Sequence, residues 1–561
     1  MRAFNRFPPA IVLAAICASL VATKAWPQTG YSTTGAVTTA DQAIDRIISR
    51  EHEELTVLRR YRPIVETYVQ DMKPDVEMGI MPVSDHYFLS QADLSKGPTE
   101  DSMLDKKLKS KAERSRVEKS APYVPRDFLK MVYIDADGFD RQHYEFRYVG
   151  REFLGEVRCV VFDIMPPDRK SKGRFSGRIW AEDQGFAIVR FNGLFETPSR
   201  TGNGSGLNLH FDSWRLNIQP DLWLPALVYS QDSERQNSSD PGIRFKAQTR
   251  LWGYNLASLN RTPDFNQPAI DQSATLDHGD GLHDYSPVEA EREWQQRAES
   301  NVVDRLQRIG LLAPRGEVDK ILETVINNLE VTNDLDIDVH CRVMLTGTLE
   351  SFSIGHTIVM SRGLIDVLPD EASLATALAQ ELAGTQVAKP TTDQWGFNDM
   401  TNVTAGEALS RLSFKATPNE VDAANKKAFE WLKNSPYKDK LGNAALFLKQ
   451  LSADSAVLPA LIDPRLGNGV VLSSALANLG PTLQTDRLDQ IAALPLGARV
   501  KVDPWDGRVE LLKAKPVSLT SAREKMPFAV TPFLPFLTRY QESKAAGKAD
   551  NGLTNKESAN R

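Results

Sequence analysis

TIVMSRGLIDVLPDEASLATALAQELAGTQ, residues 357 to 386, is the stretch on which the fold turns. A β-branched run from Thr357 reads as a strand that ends at an Arg-Gly-Leu step. Pro369 suits the first turn of a helix, and Asp370 and Glu371 favour its positive N-terminal end. Leu374, Ala377, Leu378 and Leu382 then recur at helical spacing, so one face of that helix is buried.

Working outward, IDVHCRVMLT (337 to 346) reads as a preceding strand, and ESFSIGHTIVMSRGLIDVL (350 to 368) as a second one that places Gly355 within it. Helical spacing runs from Pro287 to Leu312 and again from Glu317 to Leu329. ARVKVDPWDGRVELLKAKP reads as a hairpin turning at DPWDG.

The order strand, Arg-Gly-Leu, acidic turn and Leu/Ala-rich helix, over about residues 315 to 455, resembles the HtpX and CAAX-prenyl-protease type of zinc metallopeptidase, family forty-eight. That resemblance implies a mainly helical, gluzincin-like domain with an HExxH motif on the helix. Two imidazoles one turn apart hold zinc there, and the carboxylate between them activates the metal-bound water. In this chain the five residues are QELAG: Gln380 and Gly384 stand at the histidine positions, and Glu381 keeps the general-base position. The resemblance implies a later helix at TPNEVDAANKKAFEWLKNSPY (417 to 437), with the third ligand at Glu420 and Ala424 where an orienting aspartate would stand. One carboxylate without a second shell does not hold zinc. The domain is therefore expected to be a degenerate, non-catalytic one with no metal and no cofactor, Glu381 being vestigial.

No histidine follows His356, so none later in the chain replaces the missing pair. His340 and His356 read as edge or packed histidines, and HEELT at His52 as a surface helix. The alternative is an active zinc metalloendopeptidase with atypical ligands drawn from His340, His356 and Glu420. A Glu381/Glu420 carboxylate pair has no other feature of a glycosidase around it, and no phosphate loop, nucleophile elbow or paired-cysteine metal motif is present.

The N-terminal half has a different texture. A helix is predicted from Asp41, carried by Ile44, Ile47, Ile48, Leu55, Leu58 and Tyr61. Residues 95 to 120 are dense in charge and read as a solvated helix or mobile insertion. From His143 to Tyr254, short runs of β-branched and aromatic residues separated by turn signals read as antiparallel strands. One hairpin turns at Asp183-Gln184-Gly185, and a further strand pair lies around Trp214 and Trp223. A curved sheet wrapped on a helix has a concave face able to take an apolar ligand. Trp180, Trp214, Trp223 and Trp252 read first as cross-strand packing. The runs YVGREFLGEVRCVVFDI, GRFSGRIWAEDQGFAIVRFNG, DSWRLNIQPDLWLPALVYS and QTRLWGYNL make this region resemble the LolA/LolB outer-membrane lipoprotein-sorting group. That resemblance implies a half-barrel carrying acyl chains or lipoprotein tails.

The expected architecture is α+β. A signal peptide spans 1 to 25, an antiparallel half-barrel with its helix 41 to 256, a linker 257 to 290, the metallopeptidase-like domain 291 to 540, and a disordered tail 541 to 561. Arg2 and Arg6 precede an apolar run from Ala10 to Val21, which is shorter than the ~20 residues a membrane-spanning helix needs. Cys17 lacks a small residue before it, which weighs against lipidation. The mature chain is expected to be periplasmic or secreted, with no transmembrane segment after cleavage. Within the linker, His278, Asp280, His283 and Asp284 stand close together and read as hydrated side chains. A net charge of -6 leaves no basic field for a nucleic acid. Cys159 and Cys341 fall in different domains and cannot form a stapling framework, and their pairing is open. The functional expectation is a binding or scaffold protein for peptide, lipoprotein or lipid.

Overall fold

The computed structural model describes residues 39–76, 79–93, 99–103, 124–167, 174–196, 208–232, 244–256, 287–387, 413–484, 490, 493–512 and 527–540. The signal segment, the linker histidines His278 and His283 with Asp280 and Asp284, and the tail from 541 lie outside them.

Helix α1 (Ala40–Leu58) begins at a capping box in which Thr39 and Gln42 satisfy each other's backbone N–H. It is followed by strands β1 (Ile64–Asp75), β2 (Gly79–Asp93) and β3 (Thr99–Ser102). The short helix α2 (Pro125–Leu129) precedes β4 (Glu145–Leu154), β5 (Val157–Met165), β6 (Phe175–Glu182), β7 (Ile188–Glu196), β8 (Asn208–Gln219), β9 (Leu222–Asp232) and β10 (Phe245–Trp252). These strands form one ten-stranded sheet in the order β3-β2-β1-β10-β9-β8-β7-β6-β5-β4, its pairs antiparallel. The hairpins expected at Asp183-Gln184-Gly185 and between Trp214 and Trp223 are present as β6/β7 and β8/β9.

The sheet starts at Ile64, so β1 and β2 add two long strands ahead of residues 143 to 254, where the strands are expected. Strand β3 also lies inside the charged stretch expected to be solvated. β1 is buried along its first seven residues because both faces of the sheet are covered, which hides the alternation that marks a half-exposed strand.

One face packs on α1 and α2. There Phe175, Phe191 and Phe211 meet pairwise at 5.7 Å between ring centroids, and Phe162 and Phe245 are fully buried beside them. The helix expected to be a surface one also turns two acids inward: Glu51 and Glu54 both bind Arg215 of β8, Nη1 lying 2.6 and 2.9 Å from them. His52 itself is exposed. Burial pushes Glu54 up to about 8, so it carries its proton at neutral pH.

The opposite face of β5 to β9 carries Trp180, Trp214 and Trp223, with Arg190 lying 4.4 Å from the first ring and 4.5 Å from the second. This matches the expectation of cross-strand packing, while Trp252 joins the larger core and donates to Gly310 O at 2.8 Å. Residues 527–540 run over this face, with Leu537 in the tryptophan cluster and Arg539 on Glu182 at 2.8 Å.

The C-terminal half contains α3 (Pro287–Arg308), α4 (Glu317–Asn333), β11 (His340–Met344), β12 (Ser351–Ile354), β13 (Thr357–Ser361), α5 (Arg362–Val367), α6 (Glu371–Val387), α7 (Pro418–Asn434), α8 (Leu441–Asp454), α9 (Pro459–Ile462), α10 (Ser474–Ala477), β14 (Val500–Val502) and β15 (Val509–Leu511). The small sheet runs β11-β13-β12, with β11 parallel to β13. The strand expected from Thr357 to the Arg-Gly-Leu step is β13, but residues 350 to 368 as a whole are the hairpin β12/β13 followed by α5. Gly355 (φ 54) and His356 form its turn rather than lying on a strand. The expected helix after Thr417 and the hairpin around DPWDG are present.

The two halves share one core. Ile64, Tyr68, Tyr87, Leu89 and Trp252 of the large sheet pack with Leu311, Leu345, Leu349 and Leu461. Polar groups also cross the contact: Asp85 accepts from Ala460 N and Leu461 N at 2.9 Å each, and the Gln70 amide exchanges hydrogen bonds with Phe528 O and Val530 N at 2.9 and 3.0 Å. Cys159 and Cys341 are buried free thiols in separate clusters.

Candidate functional site

The QELAG residues lie on α6, which packs against α4, α7, α8 and β12. Its small side chains, Ala372, Ala375, Ala379 and Ala383, are buried and permit this close packing on several sides. Glu381 points into the molecule and is buried. Its Oε1 accepts from Ser351 Oγ of β12 at 2.7 Å, and the Asn468 side chain also hydrogen-bonds it. Burial pushes Glu381 up to about 7, against the lowering effect of those two hydrogen bonds.

Asn468 belongs to an extended segment, residues 465 to 472, that lies along the free side of β12. Ser351 N donates to Asn468 O at 3.1 Å and Asn468 N donates to Ser351 O at 2.7 Å, a single antiparallel bridge to the strand. Glu350 fixes its start: Oε2 accepts from the backbone N–H groups of Arg465, Leu466 and Gly467 at 3.0, 2.9 and 3.1 Å. On the far side, Phe414 N donates to Leu466 O at 2.8 Å and Ala416 N to Asn468 Oδ1 at 2.9 Å. Phe352 stacks on Phe414 at 4.6 Å.

Gln380 is occupied by the same segment, its Nε2 donating to Val471 O at 2.7 Å. A side chain at Gly384 would meet open space. Glu420 is the N3 residue of α7 and completes a capping box, its Oε2 accepting from Thr417 N and Thr417 Oγ1 at 2.8 Å each. Asn468 thus links the two carboxylate positions, touching Glu381 on one side and Ala416, next to the Thr417 cap, on the other. Ala424 is buried. Replacing Thr417 by Ala removes the cap and is expected to cost about 1 kcal/mol, read as a lower urea midpoint. An unchanged midpoint would mean that packing alone holds the start of α7.

His340 and His356 are exposed and adjacent, with His340 N donating to His356 O at 2.9 Å. They stand at the turn end of β12, whereas Ser351 and Glu381 meet at its other end. Among the described residues, no group of three or more His, Cys, Asp and Glu side chains is placed to hold a metal ion.

Ser351, Glu350 and Asn468 carry no recognisable signal in the sequence, because DPRLGNG reads as an ordinary loop. The Arg-Gly-Leu step has a structural use as well. Arg362 reaches Glu66 of the large sheet, and a Cβ on Gly363 would lie 2.0 Å from Gly347 O.

No family model matches this chain, and neither does any curated protein. Among solved structures, an outer-membrane lipoprotein-sorting protein domain of Vibrio parahaemolyticus is similar at 12% identity and a TM-score of 0.21, over 38% of this chain and 91% of that one. A DUF1329 family protein of Desulfovibrio piger is similar at 8% identity and a TM-score of 0.18, over 38% and 90%. MucB, solved in complex with MucA, is similar at 9% identity and a TM-score of 0.12, over 38% and 94%. The matched share is the N-terminal part, which holds the large sheet. Among the described residues, no helix is long and apolar enough to cross a membrane.

Proposed function

We propose that the protein is an exported, non-catalytic relative of zinc metallopeptidases that works as a binding or scaffold protein for peptide, lipoprotein or lipid. In this reading, residues 291–540 are a degenerate gluzincin-like domain that buttresses the half-barrel of residues 41–256. The observation that supports it is the closed state of the Glu381 position. A hydrolytic zinc site needs two imidazoles, a carboxylate free to take a proton from the metal-bound water, and an edge strand open to substrate. Here Glu381 is tied to Ser351 and Asn468, Gln380 to Val471, and β12 pairs at Ser351 with the chain's own residue 468.

The test is elemental analysis of the purified chain after dialysis against a weak chelator, together with a proteolysis assay. No stoichiometric zinc and no chelator-sensitive cleavage are expected. One zinc per chain with cleavage that a chelator abolishes would overturn the proposal, and substitution of Glu420, His340 and His356 would then locate the ligands. Binding of an acylated peptide without turnover, followed by fluorescence anisotropy, is the positive counterpart.

A further inference from the structure

Among the described residues, strand β4 ends the large sheet and pairs on one side only, with β5. Its sequence is EFRYVGREFL, residues 145 to 154, and most of it is exposed, including Phe153 at 70%, Tyr148 at 49% and Val149 at 40%. An unpaired edge of this length with apolar side chains is a template for another strand. Natural edges are usually guarded by charge and by bulges, and β4 has both: Arg147, Arg151, Glu145 and Glu152, and a register shift between Tyr148 and Gly150.

The order of those charges is self-complementary. Read in both directions from the point between Val149 and Gly150, the strand sets valine against glycine, Tyr148 against Arg151, Arg147 against Glu152 and Phe146 against Phe153. In a regular strand, an odd offset of this kind would put the members of each pair on opposite faces. The bulge at Val149 removes that conflict. Tyr148 packs on Phe162 and Phe146 on Phe139, on the helix-covered face. Arg151 lies opposite Val160 of the same core, and Phe153 shares its side. Glu152 takes the Trp180 Nε1 hydrogen bond on the other face, where Arg147 meets Asp163. Each pair therefore falls on a common face.

We infer that β4 pairs antiparallel with β4 of a second copy of this chain, about a twofold axis between Val149 and Gly150, joining two large sheets edge to edge. Each dimer gains two Arg147–Glu152 ion pairs, two Tyr148–Arg151 contacts and two phenylalanine pairs. Asp163 keeps Arg178 at 2.7 Å when Arg147 turns to the partner copy. A shift by one residue in one direction sets Arg147 against Arg151 and a shift by two sets Glu145 against Glu152, while shifts in the other direction set none of these charges against its opposite, so the charges favour this register. The contact is isologous and closes at two chains, which uses up the free edge. One strand pair is a small interface, so association is expected in the micromolar range.

Sedimentation velocity of the purified full chain over a concentration series tests this. The wild type is expected to show a reversible monomer–dimer equilibrium. Arg147→Glu and Glu152→Arg are each expected to raise the dissociation constant by at least ~10-fold, because each places like charges at both contacts. An equimolar mixture of the two variants restores both ion pairs and is expected to associate as tightly as the wild type, as a heterodimer. A wild type that stays monomeric at on the order of 100 μM overturns the inference. So does a mixture that remains monomeric although circular dichroism shows both variants folded.

Discussion

Replacing Arg362 by Ala is expected to destabilise the protein by about 3–5 kcal/mol, the range for removing one partner of a buried charge network. Arg362, Glu66 and Asp366 are all buried. The guanidinium donates to Glu66 at 2.5 Å, to Asp366 at 3.2 Å and to Leu345 O at 3.0 Å. The remaining acceptor capacity of each carboxylate is also used. Glu66 takes Tyr87 OH at 2.7 Å and Gly347 N, and Asp366 takes Arg499 N and Val500 N at 3.0 and 2.7 Å. Removing the arginine leaves two buried carboxylates without their shared partner, with Arg250 and Arg499 as the neighbouring cations. Burial and the neighbouring Arg362 already pull Arg250 down to about 9. Since Glu66 belongs to β1 and Arg362 to α5, the loss also loosens the contact between the two halves. Urea unfolding followed by tryptophan fluorescence and by far-UV circular dichroism should show a lower midpoint and transitions that no longer coincide. A change below about 1 kcal/mol with coincident transitions would mean that the two carboxylates find other partners and that the network does not join the halves. Arg362→Lys keeps the charge but loses the fork, and an intermediate loss is expected.

Several parts of this arrangement were legible in the sequence. The strands from β4 to β10 announced themselves because turn signals punctuate them and their tryptophans and phenylalanines recur as cross-strand packers. Helix α6 was legible from its acidic start and its Leu/Ala spacing, and the helix after Thr417 only through the resemblance of its sequence to a known family. What stayed hidden depends on contacts distant in sequence. β1 and β2 carry polar residues, Glu66, Gln70 and Asp85, that are buried only because the C-terminal half brings them partners. The inward turn of Glu51 and Glu54 depends on an arginine more than a hundred and fifty residues later. At the candidate site, Gln380 and Gly384 were visible as letters. The segment that fills the space beside β12 was not, because its hold on Glu350, Ser351 and Gln380 is made largely by backbone groups, which any loop sequence possesses.

The pH dependence of stability offers the sharpest probe of that site. Glu381 has its pKa raised from 4.5 to about 7 by burial. In the unfolded chain it titrates near its ordinary value, so between those limits the folded state holds a proton that the unfolded state has released. Stability then falls as pH rises across this window: the favourable contribution is complete below about pH 4.5 and is lost once pH passes about 7. At about 1.4 kcal/mol per pKa unit, the wild type is expected to lose about 3 kcal/mol through this one group. Glu381→Gln removes the ionisation while keeping an oxygen that can accept from Ser351. The variant should match the wild type near pH 4.5 and exceed it by about 3 kcal/mol above pH 8, measured as the difference in urea unfolding free energy at each pH. Glu54, raised to about 8, shifts in the same direction and steepens the wild-type curve, but it is unchanged in this variant and cancels in the difference. A difference that stays flat with pH would mean that Glu381 ionises in the folded protein as it does in water, and that the Ser351–Asn468 enclosure opens. A general base kept for catalysis would predict a further sign: loss of a chelator-sensitive proteolytic activity in Glu381→Gln. Higher stability at alkaline pH, with no activity to lose, is the outcome expected of a carboxylate that serves as a packed, protonated hydrogen-bonding group.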